Sequence, residues 1–205
     1  MTDSLASAQP AVMPGLAENL EEPPSVTHGL DFDRLYAAEF VWVHRTLRRL
    51  GARERDLDDL AHDVFVGAFR ALDRFEVGRP IRPWLFGIAF RVVSDYRRRA
   101  RFSRESLVDD QEPLYDADQA TPESELARAR DRALVLAGLD ALPLDQRAVF
   151  VAHELDGTSI PELADGLGLS INTLYSRLRL ARAKFALAVT ALRERGPAGD
   201  RRSNP

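Results

Sequence analysis

A strongly acidic stretch of 23 residues divides this 205-residue chain into two parts. Residues 103–125 contain eight acidic residues, two prolines and a single arginine. Such a composition favours an extended, solvated segment over a packed element of secondary structure. We therefore predict two separate small domains, at residues 31–102 and 126–195, joined by a flexible acidic linker.

Hydrophobic periodicity on both sides of this linker indicates helices, because apolar residues recur at steps of three and four. Trp84, Ile88 and Val92 share one face of the helix that begins near Pro83, and this face is predicted to be core. No segment alternates in the manner of a strand, so the predicted fold class is all-α. The other predicted helices lie near residues 31–50, 56–72, 123–141, 144–155, 160–167 and 171–194.

Several residues predict where helices begin and end. Gly51 should stop the first helix, since glycine readily adopts the left-handed conformation of a helix C-terminus. Ser159 and Glu162 have the spacing of a capping box, in which each side chain bonds the backbone of the other residue. Ser170 can cap the last helix in the same way.

Composition limits the class of protein. There is no cysteine, which excludes disulfides, thiolate zinc sites and a cysteine nucleophile. No apolar run approaches the ~20 residues of a membrane span, and no cation precedes Arg34, so we predict a cytoplasmic protein without membrane insertion. Residues 1–30, with four prolines, and residues 196–205 are predicted to be disordered tails.

Charge is distributed unevenly along a chain whose formal net charge is −4. Residues 77–102 contain seven arginines and one acid, and residues 170–195 contain six cations and one acid. A local positive field attracts phosphate whatever the total charge, so these two basic blocks are the candidate nucleic-acid surfaces.

The second basic block has the pattern of a helix-turn-helix. Leu174, Leu178, Ala181 and Phe185 form one apolar stripe, and a glycine-containing turn separates this helix from the short one before it. The second helix of such a motif enters the major groove. A solvated amphipathic helix is the alternative, but no acid occurs from Ser170 to Lys184. The polar side chains on its outer face that can bond bases or phosphates are Asn172, Thr173, Tyr175, Ser176, Arg177, Arg179 and Arg182.

The first basic block, GRPIRPWLFGIAFRVVSDYRRRARF at 78–102, interleaves aromatic residues with arginines. Aromatic and arginine faces can stack on unpaired bases while other cations follow the phosphate backbone. The alternative is that its aromatic residues are core and its terminal arginines complement the helix dipole.

Nothing in the sequence indicates catalysis. No glycine-rich phosphate loop occurs, and no nucleophile, base and orienting group form a recognisable set. His62 lies in an acidic amphipathic helix, DLDDLAHDVF at 56–65, but one histidine with carboxylates on a single helix face is a poor metal site. We predict no enzyme activity, no metal and no cofactor.

Motifs in both halves together resemble the extracytoplasmic-function sigma factors of bacterial RNA polymerase. In the first domain the similar stretches are DLDDLAHDVF, ALDRF (71–75), WLFGIAF (84–90) and SDYRRR. In the second they are LPLDQR (142–147), SIPELA (159–164) and TLYSRLRLAR (173–182). Their order and spacing match the family over about residues 31–102 and 126–194, although His62 and Asp63 stand where the family usually has Gln-Glu.

The resemblance implies a set of partners and roles. Core RNA polymerase, through its clamp coiled coil and flap, promoter DNA and an anti-sigma factor would be the partners. The helix at 171–182 would read the minus-thirty-five element, and the linker would run through polymerase channels. Polymerase binding would use Asp59, Leu60, His62, Asp63 and Phe65. Binding and opening of the minus-ten element would use Phe75, Arg79, Ile81, Arg82, Arg91, Arg97, Arg98 and Arg99.

Two other functions stay open on sequence alone. A conventional helix-turn-helix regulator would bind an operator without polymerase, as a dimer, but no heptad run or sensor domain is evident. A helical adaptor that binds only proteins would not depend on Arg177 and Arg179 for promoter output.

Overall fold

The computed structural model describes residues 31–76, 78–102 and 122–195. The described residues form helices and turns and contain no β-strand, which confirms the all-α prediction. Both predicted tails and nearly all of the predicted linker lie outside the described residues. The helices are α1 (Phe32–Leu50), α2 (Leu57–Ala71), α3 (Ile81–Phe102), α4 (Pro122–Asp140), α5 (Leu144–Phe150), α6 (Ile160–Leu167) and α7 (Ile171–Arg195).

The predicted helix ends are confirmed. Gly51 ends α1 in the left-handed conformation, with φ of 95°. The Ser159 hydroxyl accepts a hydrogen bond from the Glu162 backbone amide, and the Glu162 carboxylate accepts one from the Ser159 amide at 3.0 Å. Ser170 caps α7 by accepting a bond from the Thr173 amide at 3.1 Å.

Helices α1, α2 and α3 pack on one another and bury the apolar faces of all three. The predicted core face of α3 packs against the core but is not the most buried part of the helix. Trp84, Ile88 and Val92 are only partly buried, whereas the adjacent face is fully enclosed. That enclosed face consists of Leu85, Phe86, Ala89 and Val93. The stripe is displaced because α3 contacts α1 and α2 on one side and α6 on another, which periodicity alone does not reveal.

Helices α4 to α7 form the second group. α5 continues into a single π-helical turn, Val151–Leu155, and α6 and α7 follow as the two helices of the predicted helix-turn-helix. Leu174, Leu178 and Ala181 are buried and Phe185 packs against the core, as the apolar stripe predicted.

The two groups of helices also pack against each other. α3 packs against α6, while α1 contacts α4, α5 and the π-helical turn. The buried residues of both groups consequently form one continuous apolar cluster. Sequence periodicity gave no indication of this closed arrangement.

Candidate nucleic-acid interface

The outer face of α7 is one accessible part of the candidate interface. Asn172, Tyr175, Ser176 and Arg179 are exposed, and Tyr175 shows 55% of its surface. These residues fall on the side of α7 opposite Leu174 and Leu178, because the buried stripe fixes the rotation of the helix. The face therefore combines amide, hydroxyl and guanidinium donors in one accessible row.

Three other candidates on α7 are already engaged within the protein. Arg177 is half-buried, and its Nε lies 3.4 Å from an Asp145 carboxylate oxygen. Arg182 donates to Glu154 from Nε at 2.8 Å. Thr173 is half-buried, with its hydroxyl 2.8 Å from that of Ser170. Exposed ion pairs of this kind are weak, so a phosphate could displace Glu154 from Arg182.

Four of the minus-ten candidates lie in the short loop before α3 or in the first two residues of that helix. Phe75 packs on Trp84 with ring centroids 4.9 Å apart, and Ile81 is half-buried. Arg79 is exposed and pairs with Glu76 at 2.8 Å. Arg82 pairs with Glu39 at 2.9 Å and lies over the Trp42 ring, 5.6 Å from its centroid.

The remaining minus-ten candidates follow the length of α3. Arg91 and Arg99 are exposed, and neither has an ion pair within the described ranges. Arg98 is exposed and pairs with Asp95 at 2.9 Å. Arg97 is half-buried and donates to the Leu50 carbonyl, so it also supports the C-terminus of α1.

A cavity of about 150 Å³ opens beside Phe75 and Trp84. Its walls combine aromatic rings, the prolines at the start of α3 and the side chains of Arg74 and Arg79. Glu162, Asp165 and Gly166 of α6 form the remaining wall. A cavity with aromatic and cationic walls suits an unstacked base and its phosphate.

The polymerase-binding candidates on α2 divide into two groups. Asp59, His62 and Asp63 are exposed and form an acidic face. Leu60 and Phe65 are 5% and 2% exposed and lie in the core, so in this arrangement they can only support that face. No group of three metal-ligating side chains occurs among the residues that the structure describes.

Sequence reasoning missed the residues that join the two groups of helices. Arg147 is only 3% exposed, donates to the Arg49 carbonyl and pairs with Asp140 at 2.6 Å. Arg49 in turn pairs with Asp156 at 2.6 Å. LPLDQR marked the neighbourhood of Arg147, but no local signal indicated a partner almost a hundred residues away.

Trp42 was also missed as a core residue. It is 8% exposed and lies beneath Arg82. It lies next to Val43, which is fully buried in the same helix.

No helix in the described parts of the chain combines the length and apolarity required to cross a bilayer.

Comparison with known proteins identifies both groups of helices. Residues 35–103 match Sigma-70 region 2, and residues 132–185 match Sigma-70, region 4.

Curated relatives extend the match over most of the chain. RNA polymerase sigma factor CnrH of Cupriavidus metallidurans is 37% identical over 166 residues, which cover 78% of this chain and 87% of CnrH. ECF RNA polymerase sigma factor SigM of Mycobacterium tuberculosis is 32% identical over 155 residues, which cover 76% of this chain and 75% of SigM.

Solved structures agree. CnrH in complex with the cytosolic domain of CnrY aligns with a TM-score of 0.53 at 32% identity, over 81% of this chain and 89% of CnrH. The sigma factor RpoE in complex with the anti-sigma factor NepR from Bartonella quintana has the same fold, with a TM-score of 0.60 at 22% identity, over 78% of this chain and 97% of RpoE. The chain therefore belongs to the extracytoplasmic-function family of RNA polymerase sigma factors.

Proposed function

We propose that this chain binds core RNA polymerase as a non-catalytic subunit, directs it to promoters and helps to open them. The observation that carries the proposal is the presence of two accessible cationic surfaces, on α3 and α7, in two different groups of helices. A stand-alone regulator would need only one such surface per subunit.

The α7 surface would read the minus-thirty-five element in the major groove. Arg179 is suited to bidentate contact with guanine, and Asn172 to contact with adenine. Tyr175 and Ser176 can bond phosphates or sugars and so fix the register of the helix. Arg182 would exchange its bond with Glu154 for a phosphate.

The α3 surface would bind and open the minus-ten element. Extruding a base from the stack costs a few kcal/mol, which stacking in a pocket can offset. Phe75 and Trp84 supply the stacking faces beside the cavity. Arg91, Arg98 and Arg99 lie further along α3 and would hold the adjoining duplex phosphates.

The exposed acidic face of α2 would dock on the polymerase clamp coiled coil, with Asp59, His62 and Asp63 in contact. The second domain would contact the flap. The acidic linker would occupy a basic channel of the polymerase, where its charge imitates a nucleic-acid strand. Because the polymerase acts in the cytoplasm, we place the protein there too.

An anti-sigma factor is the remaining proposed partner. The relative CnrH has been solved with the cytosolic domain of CnrY bound to it. This chain is 32% identical to that CnrH, so a comparable protein partner is expected here.

Run-off transcription with purified core polymerase tests the proposal. Genomic promoter fragments should yield discrete transcripts only when this chain is added to core enzyme. Co-elution of the chain with core polymerase in gel filtration is the accompanying binding test. Tight binding to an operator by the chain alone, with no association with core enzyme, would instead identify a conventional regulator.

A further inference from the structure

A groove with an apolar floor lies between α1 and α4, and it shares no lining residue with the cavity beside Phe75 and Trp84. The cavity in this groove has a volume of about 630 Å³. Val41 of α1 shows 61% of its surface there, although it is an apolar residue. A contiguous apolar surface that is open to water usually marks a binding site. The floor is formed by Phe40, Val41, Val135, Leu136 and Leu155.

The rim of the same groove is cationic. Four arginines and one acid are the charged residues that line it: Arg45, Arg48, Arg49, Arg132 and Asp131. Arg48 and Arg49 already form ion pairs within the protein. Arg132 of α4 is exposed and has no ion pair among the residues that the structure describes. The groove therefore fits an occupant that is apolar on one side and carries negative charge.

A row of aromatic rings connects this groove to the N-terminal part of α1. The ring centroids of Tyr36 and Phe40 are 5.3 Å apart, and those of Phe40 and His44 are 6.0 Å apart. Tyr36 is exposed, whereas Phe40 and His44 also line the groove. The residues that precede α1 can therefore follow an apolar path back to the groove.

The N-terminal segment has the composition that this groove requires. Residues 1–30, which lie outside the described ranges, contain four acids and neither lysine nor arginine. Within them, the stretch PGLAENLEE at 14–22 contains three acids, and its leucines are four residues apart, a spacing that places them on one face of a helix. Pro14 and Pro23 would bound such a helix, since proline is tolerated in a first turn and ends a helix. A segment that is disordered by itself can become ordered on a complementary surface.

The length of chain between this stretch and α1 is sufficient. Residues 23–31 can span about 30 Å when extended. The groove begins within about 20 Å of the start of α1, because Arg45 lies 13 residues after Phe32. The acidic linker is a weaker candidate, since it contains Arg104 and must also connect α3 to α4.

We propose that residues 14–22 dock in the groove between α1 and α4, with Leu16 and Leu20 on its apolar floor and acidic side chains near Arg132. Docking within one chain requires only modest affinity. At an effective concentration of about 1 mM, a segment with a dissociation constant of about 0.1 mM is docked about 90% of the time. The N-terminal segment thereby covers an apolar surface that otherwise faces water, in the free protein and without polymerase or DNA.

Alkylation of a single cysteine at position 41 tests the proposal in the full-length chain. The chain has no natural cysteine, so Val41→Cys is the only thiol that N-ethylmaleimide can modify. A side chain at this position is accessible when the groove is empty, and docking should protect it. Adding Leu16→Ser and Leu20→Ser should raise the alkylation rate about tenfold, if the docked form is about 90% populated.

A cysteine outside the groove supplies the control for this comparison. Ala183 is exposed in α7 and does not line the groove. Ala183→Cys should react at the same rate with and without the two leucine substitutions, which shows that the fold is unchanged.

Charge reversal on the rim tests the electrostatic part of the proposal. In the Val41→Cys chain with both leucines intact, Arg132→Glu should raise the alkylation rate severalfold, because repulsion of the acidic segment replaces attraction. Arg130→Glu is the matched control. Arg130 is exposed on the same helix but does not line the groove, so its substitution should leave the rate unchanged.

Equal alkylation rates of Val41→Cys with and without the leucine substitutions would overturn the proposal. Protection that survives these substitutions and disappears on dilution would identify a second copy of the chain as the occupant. Protection that survives both changes would identify the linker. Either of these results would also overturn docking by residues 14–22.

Discussion

Arg179 differs from its neighbours on α7 because it is exposed and has no ion pair among the residues that the structure describes. Arg177 and Arg182, by contrast, must release Asp145 and Glu154 before they can bind DNA. Among Arg177, Arg179 and Arg182, we therefore propose Arg179 as the arginine that reads a base edge, since its guanidinium has no ion pair to exchange.

We expect Arg179→Ala to lower discrimination between the correct and a substituted minus-thirty-five element by about 1–3 kcal/mol, if Arg179 reads a guanine. Competition binding of holoenzyme to the two promoters measures this difference. Arg193→Ala is the control, because Arg193 is exposed on the same helix about 21 Å further along. An equal loss on both promoters would make Arg179 a phosphate contact instead.

A capping box stabilises the N-terminus of the short helix α6. Ser159 and Glu162 bond each other's backbone amides, and the two side chains are 2.6 Å apart. These hydrogen bonds from the Ser159 side chain and backbone lower the pKa of the Glu162 carboxyl. A lowered pKa in the folded state means that the ionised form is the one that stabilises the fold.

Ser159→Ala is expected to lower the free energy of unfolding by about 1 kcal/mol at neutral pH. The pKa of Glu162 should rise toward its ordinary value, as an NMR titration would measure. Because the folded pKa is lowered, the capping contribution is full above the ordinary pKa of a glutamate and is lost as the pH falls through the folded pKa. The stability gap between wild type and Ser159→Ala should therefore narrow in acid, and a gap that stays constant would contradict this account of the cap.

Helix ends and the buried stripe of α7 were predictable because they depend on neighbours three to eleven residues away. The cap at Ser159, the stop at Gly51 and the burial of Leu174 are all local consequences of sequence. The most buried face of α3 was not predictable in the same way. That face, which includes Phe86, is selected by the three other helices that α3 contacts.

At the scale of the whole molecule, the contacts that matter most join residues far apart in sequence. Asp156 follows the π-helical turn and pairs with Arg49, more than a hundred residues earlier in the chain. Gly87 of α3 and Gly166 of α6 lie backbone to backbone, so that a Cβ atom on Gly87 would overlap the carbonyl oxygen of Gly166. Periodicity and motifs identify the parts and their candidate surfaces, but they carry no information on how two tethered helical groups pack.

The packing of the two groups of helices also bears on how an acidic chain can recognise DNA selectively. The two basic surfaces are small, and in the closed arrangement one of them faces the carboxylates of α6. Free protein should consequently bind duplex DNA weakly. Core polymerase would hold the two surfaces at the spacing of the promoter elements.

Hydroxyl-radical footprinting of one promoter, with this chain alone, core polymerase alone and both together, shows whether promoter recognition requires both proteins. Two protected segments, centred about 25 base pairs apart, are expected only when both proteins are present. Strong protection of a single site by the chain alone, unchanged when core polymerase is added, would contradict it.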